Sequence, residues 1–253
     1  MKLSSFVFLA FLALFSFTGC KEHYAPAHIT GKEIPVTTQI KPDTAIQNFI
    51  KPYSQHINKT LDSVLAYNPT NLDKHAVKLN TALGNLMADI VYEQTNPVFN
   101  KRTGKNIDFV LLNYGGIRAS VGKGPVNART AYELMPFENE VVVAELSGKK
   151  VLEMLHYLEN VKVANPVSGI KIKMDKNFKV IDAKVKGKDI DPDKNYYVAT
   201  SDYLQQGGDS MNFFKDPVNL YGSDYKIRNE IIDYFKKIDT LKTKEDDRFI
   251  QVE

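Results

Sequence analysis

Three short segments of the sequence combine glycine pairs, aromatic rings and charged side chains in a way that points to ligand binding. They are residues 113–118 (Asn-Tyr-Gly-Gly-Ile-Arg), 136–139 (Pro-Phe-Glu-Asn) and 203–209, which ends in Gly-Gly-Asp. Glycine has no Cβ and tolerates positive φ, so the backbone at each glycine pair, including Gly116, can approach a ligand closely. One cation, one carboxylate and two aromatic rings in such surroundings predict a pocket for a flat, charged ligand.

Arg118 is the cation of this set, and it follows the first glycine pair. A guanidinium binds a phosphate or carboxylate through two parallel hydrogen bonds, which a lysine does not reproduce in the same geometry. The alternative is a hairpin turn with an exposed arginine, and the Gly-Gly-x-Arg string alone does not decide between the two.

Phe137 and Tyr203 are the aromatic residues, and Asp209 follows Tyr203 by six positions. Each ring either covers an edge of the core or stacks on a planar ligand, where a base gains about 1 to 3 kcal/mol per stacked face. Asp209 either accepts both vicinal hydroxyls of a ribose or binds neighbouring amides in a turn.

Charge excludes one class of partner. The chain has 33 basic and 30 acidic side chains, a formal net charge of +3. Phosphate tracking along a nucleic acid needs a concentrated basic face, which this mixed distribution does not provide. We therefore expect no nucleic-acid partner.

The first residues predict export. Met1-Lys2 and an apolar run over 6–15 are typical of a secretory signal, and the run is shorter than the roughly 20 residues that span a bilayer. Thr18 and Gly19 before the single cysteine resemble a lipoprotein processing box, which predicts a signal peptide over 1–19 and lipidation of Cys20. The alternative is an ordinary cleavage site beside a chance cysteine. We expect a lipid-anchored protein of the cell envelope, on the outer membrane or the periplasmic face.

The remaining chain predicts one domain with a mixed α/β (α+β) fold. Residues 20–41 carry prolines without apolar periodicity and predict an extended leader, followed by a domain over 42–253. Apolar spacings of three and four predict a helix over 43–65 that breaks near Pro52, a helix opening at Gly84 and a last helix over 227–238. A further helix follows Ser147, a plausible N-cap. Strands are expected over 107–112, 141–144, 170–174, 180–185, 196–200 and 249–252.

Taken together, these strings resemble the C-terminal domain of the 5′-nucleotidase family, which includes bacterial UDP-sugar hydrolases. The resemblance covers about 43–252 and is far more specific than any single string. It implies mixed sheets layered with helices. The strings that carry it are Thr81-Ala82-Leu83-Gly84-Asn85-Leu86-Met87-Ala88-Asp89, 113–118, 136–139, Ser147-Gly148-Lys149, Ser168-Gly169 and Gly207-Gly208-Asp209.

The resemblance also implies a substrate pocket for a nucleoside 5′-phosphate or nucleoside. Phe137 and Tyr203 would sandwich the base, Asp209 would hold the ribose and Arg118 would bind phosphate. The other implied lining residues are Asn113 and Asn139 at the base edge, Gly116 and Gly169.

Two positions depart from the family pattern. Tyr114 stands where the family has glycine, which narrows that loop. Val77 stands where the family has arginine, and Lys78 is the nearest cation. With these departures, the resemblance supports recognition of the nucleoside more firmly than recognition of its phosphate.

Family members also carry an N-terminal metallophosphatase domain whose Asp-x-His, Gly-Asn-His and Gly-His-x-His strings hold two metal ions. As a set these strings are absent, and the five histidines are scattered, whereas a two-metal site needs clustered ligands. The resemblance therefore implies no catalytic residue, metal site or cofactor in this chain, with divalent metals expected only in a partner metallophosphatase.

Three hypotheses follow. The first is a recognition domain that works with a separate metallophosphatase chain and hydrolyses nucleoside 5′-phosphates outside the cytoplasm, which predicts an apolar docking face. The second is a non-catalytic nucleoside- or nucleotide-binding envelope lipoprotein. The third is a structural or adhesive lipoprotein that has lost the pocket, and the joint presence of the rings, the carboxylate and the guanidinium argues against it.

Overall fold

The computed structural model describes residue 28 and residues 30–75 and 79–252. The chain divides into two compact units, one up to Phe49 and one from Ile50 onward. In the first unit, the described residues before position 44 form no helix or strand and include a turn at 38–40. The predicted signal peptide, Cys20, Val77 and Lys78 lie outside the described residues.

Side-chain caps mark the starts of two long helices, α2 (Ala82–Thr103) and α4 (Gly148–Val161). Thr81 Oγ1 accepts a hydrogen bond from the Gly84 amide at 2.8 Å, and Ser147 Oγ accepts one from the Lys150 amide. The helices are α1 (Thr44–Leu61), α2 (Ala82–Thr103), α3 (Ala128–Leu134), α4 (Gly148–Val161), α5 (Asp202–Gln205) and α6 (Ile227–Lys237). Within the described residues, no helix combines the length and apolar character needed to cross a membrane.

Helix α1 corrects two expectations. It continues through Pro52 without the predicted break, and it ends at Leu61, so that Val64 and Leu65 belong to a strand instead. Proline removes one helical hydrogen bond, but α1 has no buried residue. Water can therefore solvate the carbonyl that loses its partner, which lowers the cost of a proline inside the helix.

The strands form three sheets. Strands β1 and β3 pair alone, the central sheet has the order β10-β4-β9-β2-β5, and the third has the order β11-β6-β7-β8. The strands are β1 (Val64–Asn68), β2 (Phe109–Leu111), β3 (Gly124–Asn127), β4 (Glu140–Ser147), β5 (Val167–Ser168), β6 (Ile170–Met174), β7 (Val180–Val185), β8 (Lys188–Asp189), β9 (Asn195–Ser201), β10 (Asn219–Lys226) and β11 (Phe249–Gln251).

A hydrophobic core lies on each face of the central sheet. In β2, Val110 belongs to the core that contains α2 and α6, whereas Phe109 and Leu111 belong to the core that contains α4, β6 and β11. Successive side chains of a strand point to opposite faces, so a near-continuous apolar strand indicates burial on both sides. The mixed α/β class predicted from the sequence is confirmed.

Candidate functional site

The three polar segments meet at one edge of the central sheet. Strands β2 and β9 are parallel, with Val110 opposite Ala199, so both strands end at this edge. Strand β4 is antiparallel to β9, with Val141 opposite Ser201, so β4 begins there. Residues 113–118 follow β2, 136–139 precede β4 and 203–209 follow β9. The sheet topology therefore brings together segments that lie far apart in the sequence.

A cavity of about 310 Å³ opens between these segments. Ligand pockets usually measure roughly 300 to 1,000 Å³, so the volume suits a small molecule. Seven of the eight residues proposed from the sequence line the cavity, together with Gly115. The complete lining is Asn113, Gly115, Gly116, Arg118, Phe137, Asn139, Tyr203 and Asp209.

Gly169 is the one proposed lining residue that lies elsewhere. It borders a different, shallower cavity beside Ser168 and Lys171. Its backbone has a φ of +81°, and a Cβ there would lie 2.6 Å from the Asp108 carbonyl oxygen. Gly169 therefore allows the backbone between β5 and β6 to pass close to Asp108. The expectation that Gly169 lines the same cavity as the other proposed residues is corrected.

The two aromatic rings are accessible from the cavity. Phe137 is 41% exposed and Tyr203 is 46% exposed, so neither ring is turned into the core. One face of the Tyr203 ring rests on Gly208, where a Cβ would come within 2.4 Å of a ring carbon. The Arg118 guanidinium carbon lies 5.9 Å from the centre of the Phe137 ring, within cation–π reach. Both rings thus offer surface to a planar ligand.

Asp209 is held at the cavity wall by donors from two segments. Tyr203 Oη donates to Asp209 Oδ1 at 2.9 Å, and Asn113 Nδ2 donates to Asp209 Oδ2 at 2.6 Å. The Asp209 backbone is left-handed, with φ 49° and ψ 27°, and its carbonyl accepts a hydrogen bond from Tyr157. Asn113 therefore contacts the carboxylate that we expect to bind the sugar, a contact that sequence reasoning did not foresee.

Arg228 is a second residue that sequence reasoning missed. Its side chain is buried, and Nη1 donates to the carbonyls of Pro136 and Phe137 at 3.2 and 3.3 Å. It also pairs with Glu138. Arg228 thus fixes the loop that carries the Phe137 ring. A signal was present, because a cation in the first turn of a helix opposes the helix dipole and needs another reason to be there.

Glu138 completes this loop anchor. Hydrogen bonds from Lys226 and then from Arg228 lower the pKa of Glu138 from 4.5 to about 2. The carboxylate is therefore ionised over the whole neutral range and keeps both cations paired. The loop before β4 is held by charge, whereas the Asp209 loop is held by neutral donors.

Tyr114 points away from the cavity. Its hydroxyl lies 3.1 Å from His75 Nδ1, and the Lys74 ammonium lies 4.7 Å from the centre of its ring. Tyr114 is absent from the cavity lining. Tyr114 therefore does not narrow the cavity, and the expected narrowing of the loop stays a prediction.

The contact with His75 also bears on metal binding, because Asp73-Lys74-His75 is one Asp-x-His string that the chain does contain. Asp73 accepts a hydrogen bond from Ser120, and His75 faces Tyr114. No group of three or more His, Cys, Asp or Glu side chains able to hold a metal ion occurs among the described residues. Asp73 and His75 therefore belong to no such group.

The family model of the 5′-nucleotidase C-terminal domain matches residues 57–216, which is more than half of the chain. An apyrase of Tabanus yao is 25% identical over 84% of this chain and 41% of its own length. A 5′-nucleotidase of Vibrio vulnificus is 27% identical over 82% of this chain and 37% of its own length. The chain thus spans about two-fifths of the length of these relatives.

Solved structures agree on the fold. The 5′-nucleotidase precursor of Thermus thermophilus superposes with a TM-score of 0.69 at 23% identity, over 81% of this chain and 43% of that one. The NAD nucleotidase of Haemophilus influenzae superposes with a TM-score of 0.61 at 17% identity, over 83% of this chain and 42% of that one. At these identities the likeness concerns the fold alone. Together with the match of the family model, it shows that the chain belongs to the 5′-nucleotidase C-terminal domain family.

Proposed function

We propose that this chain is the nucleotide-recognition domain of a 5′-nucleotidase system, which binds a nucleoside or nucleoside 5′-phosphate while a separate metallophosphatase chain supplies the hydrolytic chemistry. One observation carries the proposal. Two exposed rings, a carboxylate and a guanidinium from three distant segments line a single cavity of about 310 Å³. A cavity lined by these types of side chain supports ligand binding over a purely structural role for the three loops.

Each part of a nucleotide has a suitable partner in the cavity. A base inserted between Phe137 and Tyr203 would gain about 1 to 3 kcal/mol per stacked face. Asp209 offers an ionisable acceptor for ribose hydroxyls, and Arg118 sits at the exposed rim where a phosphate can be gripped by two hydrogen bonds. Asn113 and Asn139 supply amide donors and acceptors for the edge of the base.

The binding step is tested by calorimetry on the mature protein with adenosine and AMP. We expect saturable binding of both, weakened at least tenfold by Asp209→Ala because a charged hydrogen-bond acceptor is removed. Asp182→Ala is the matched control, since this carboxylate lies on β7 away from the cavity and is 38% exposed. Absence of heat and of any shift in melting temperature with common nucleotides would contradict the proposed binding.

The division of labour is tested by phosphate release from AMP. Because the described residues do not form a two-metal site, we expect no release by the purified chain, even with added Mn²⁺ or Zn²⁺. Turnover by a homogeneous sample would refute the need for a separate catalytic chain.

A partner chain needs a surface to dock on, and α1 offers one. Ile50 and Ile57 are 50% and 52% exposed on this helix, and their spacing of seven places them on one face. We assign this face to the metallophosphatase chain. Ile50→Asp with Ile57→Asp should abolish co-elution with that chain and leave adenosine binding unchanged. Co-elution that survives the double substitution would exclude this face.

The second candidate function is a non-catalytic nucleoside-binding lipoprotein of the envelope. It is favoured by a built cavity in a chain whose described residues hold no metal-binding group. It predicts that adding a metallophosphatase chain leaves AMP turnover unchanged, whereas the first function predicts an increase. In both, the proposed anchor is the lipid on Cys20, so Cys20→Ala should move the protein from the membrane fraction to the soluble fraction.

A further inference from the structure

The Asp209 carboxylate receives one hydrogen bond on each oxygen, and each donor is neutral. Tyr203 Oη donates to Oδ1 at 2.9 Å and Asn113 Nδ2 donates to Oδ2 at 2.6 Å. A carboxylate oxygen has two acceptor positions, so each oxygen keeps one for a ligand. Neutral donors orient the group without cancelling its charge, and hydrogen bonds to a charged acceptor are the stronger ones.

Both donors are fixed by their own surroundings. The Tyr203 ring lies on Gly208, where a Cβ would sit 2.4 to 2.7 Å from three ring carbons. Its hydroxyl also accepts a hydrogen bond from the Asp209 amide at 3.3 Å, which closes a ring of contacts between the two residues. The Asn113 side chain packs on Gly116, where a Cβ would lie 2.7 Å from Asn113 Oδ1. The carboxylate is thus positioned before a ligand arrives.

Stacking alone does not account for the Tyr203 hydroxyl. A phenyl ring stacks on a base as a phenol ring does, so the ring could serve the base without the Oη contact to Asp209. The hydroxyl instead acts on the one exposed carboxylate of the cavity. Holding that side chain in one rotamer in the free protein reduces the entropy lost when a ligand binds.

We propose that Tyr203 is a positioning residue, whose hydroxyl together with the Asn113 amide orients Asp209 to accept two vicinal hydroxyls at once. The site then selects ribonucleosides over 2′-deoxyribonucleosides. This inference rests on the proposed nucleoside binding. It assigns sugar discrimination to the carboxylate and its two donors, and base binding to the rings.

The test compares adenosine with 2′-deoxyadenosine by calorimetry on the full chain. Wild type should prefer adenosine. Tyr203→Phe keeps the ring and removes the hydroxyl, so adenosine should bind roughly tenfold more weakly while 2′-deoxyadenosine changes far less. The control is Tyr92→Phe, which removes a hydroxyl that donates to the Ile107 carbonyl at 3.3 Å and does not line the cavity. It should leave the preference for adenosine intact.

Each outcome decides the inference. Equal weakening of both ligands, or no change, in Tyr203→Phe would reduce the hydroxyl to a structural role and overturn the proposal. Wild type that binds neither ligand would overturn the proposed function instead, so the two failures are distinguishable. If Tyr203→Phe loses cooperative thermal unfolding, Asn113→Ala decides, because loss of the donor to Oδ2 should erase the same preference. A preference that survives Asn113→Ala would refute the proposal.

Discussion

Gly208→Ala is a sharp probe of the cavity, because the added methyl group acts on one ring. Its Cβ would lie 2.4, 2.5 and 2.7 Å from Cε1, Cζ and Cδ1 of Tyr203. Carbon atoms pack best about 3.5 to 4.0 Å apart, so the ring must shift by about 1 Å. Gly208 does not have the positive φ of Gly207, so alanine fits the backbone there. The shift also strains the hydrogen bond from Tyr203 Oη to Asp209.

The expected loss follows from what the ring does. Stacking contributes about 1 to 3 kcal/mol per base, so displacing one of two rings should weaken adenosine binding roughly 5- to 150-fold. Overpacking costs about 1 to 3 kcal/mol of stability on its own. Calorimetric affinity and thermal melting are therefore measured together, since melting shows whether the variant is still folded at the titration temperature.

Two glycines provide the comparison. Gly222→Ala places its Cβ in open space, with no described atom within 4 Å, and should change neither affinity nor melting temperature. Gly115→Ala places its Cβ inside the cavity at an ordinary 3.5 Å from Asp209 Oδ2, so it tests filling of the cavity without moving Tyr203. A folded Gly208→Ala variant that binds adenosine within twofold of wild type would refute the role assigned to this ring.

Two further predictions concern stability. Glu230 is fully buried and accepts a hydrogen bond from Thr95. Burial raises the pKa of Glu230 well above 4.5, and the hydrogen bond from Thr95 opposes this rise more weakly. The full stability it contributes is present below pH 4.5 and is lost at up to about 1.4 kcal/mol per pH unit as pH rises toward the folded pKa. In urea unfolding, Glu230→Gln should therefore gain stability relative to wild type as the pH rises above 5, and a difference that stays constant with pH would contradict this. Gly148→Ala would put a Cβ 1.9 Å from the Asp191 carbonyl oxygen, so its free energy of unfolding in urea should fall by about 2 kcal/mol or more, whereas that of Gly222→Ala should not change.

Regular elements with strong local signals could be predicted from the sequence. Strands β6 and β7 have the predicted bounds, and α4 begins at the predicted cap Ser147. Strand β10 was missed because it lies at a sheet edge and is half exposed, so that it carries no buried run. Its pairing with β4 is a tertiary contact, and local periodicity does not report it.

Most of the candidate site could also be predicted, because charged and aromatic residues beside glycine pairs are recognisable in the sequence as ligand-binding candidates. Seven of eight residues converge. Gly169 was misplaced because a glycine needed for a backbone crossing looks the same in sequence as one that faces a ligand. Arg228 was missed because its role depends on the Phe137 loop 91 residues earlier in the chain, and only the fold brings the two together.

The strings that carry the family resemblance serve two different purposes. Asp89 accepts hydrogen bonds from Ser168 at 2.6 Å and from Arg248 at 2.7 Å, which joins α2, β5 and the segment before β11 far from the cavity. A chain that kept only such structural strings would fold in the same way and bind nothing. This chain keeps both sets, with Phe137 and Tyr203 exposed at the cavity. An aromatic ring exposed to water forgoes the favourable free energy of burial and adds nothing to the core. The presence of two such rings beside an oriented carboxylate therefore favours a ligand-binding domain over a domain with a purely structural role.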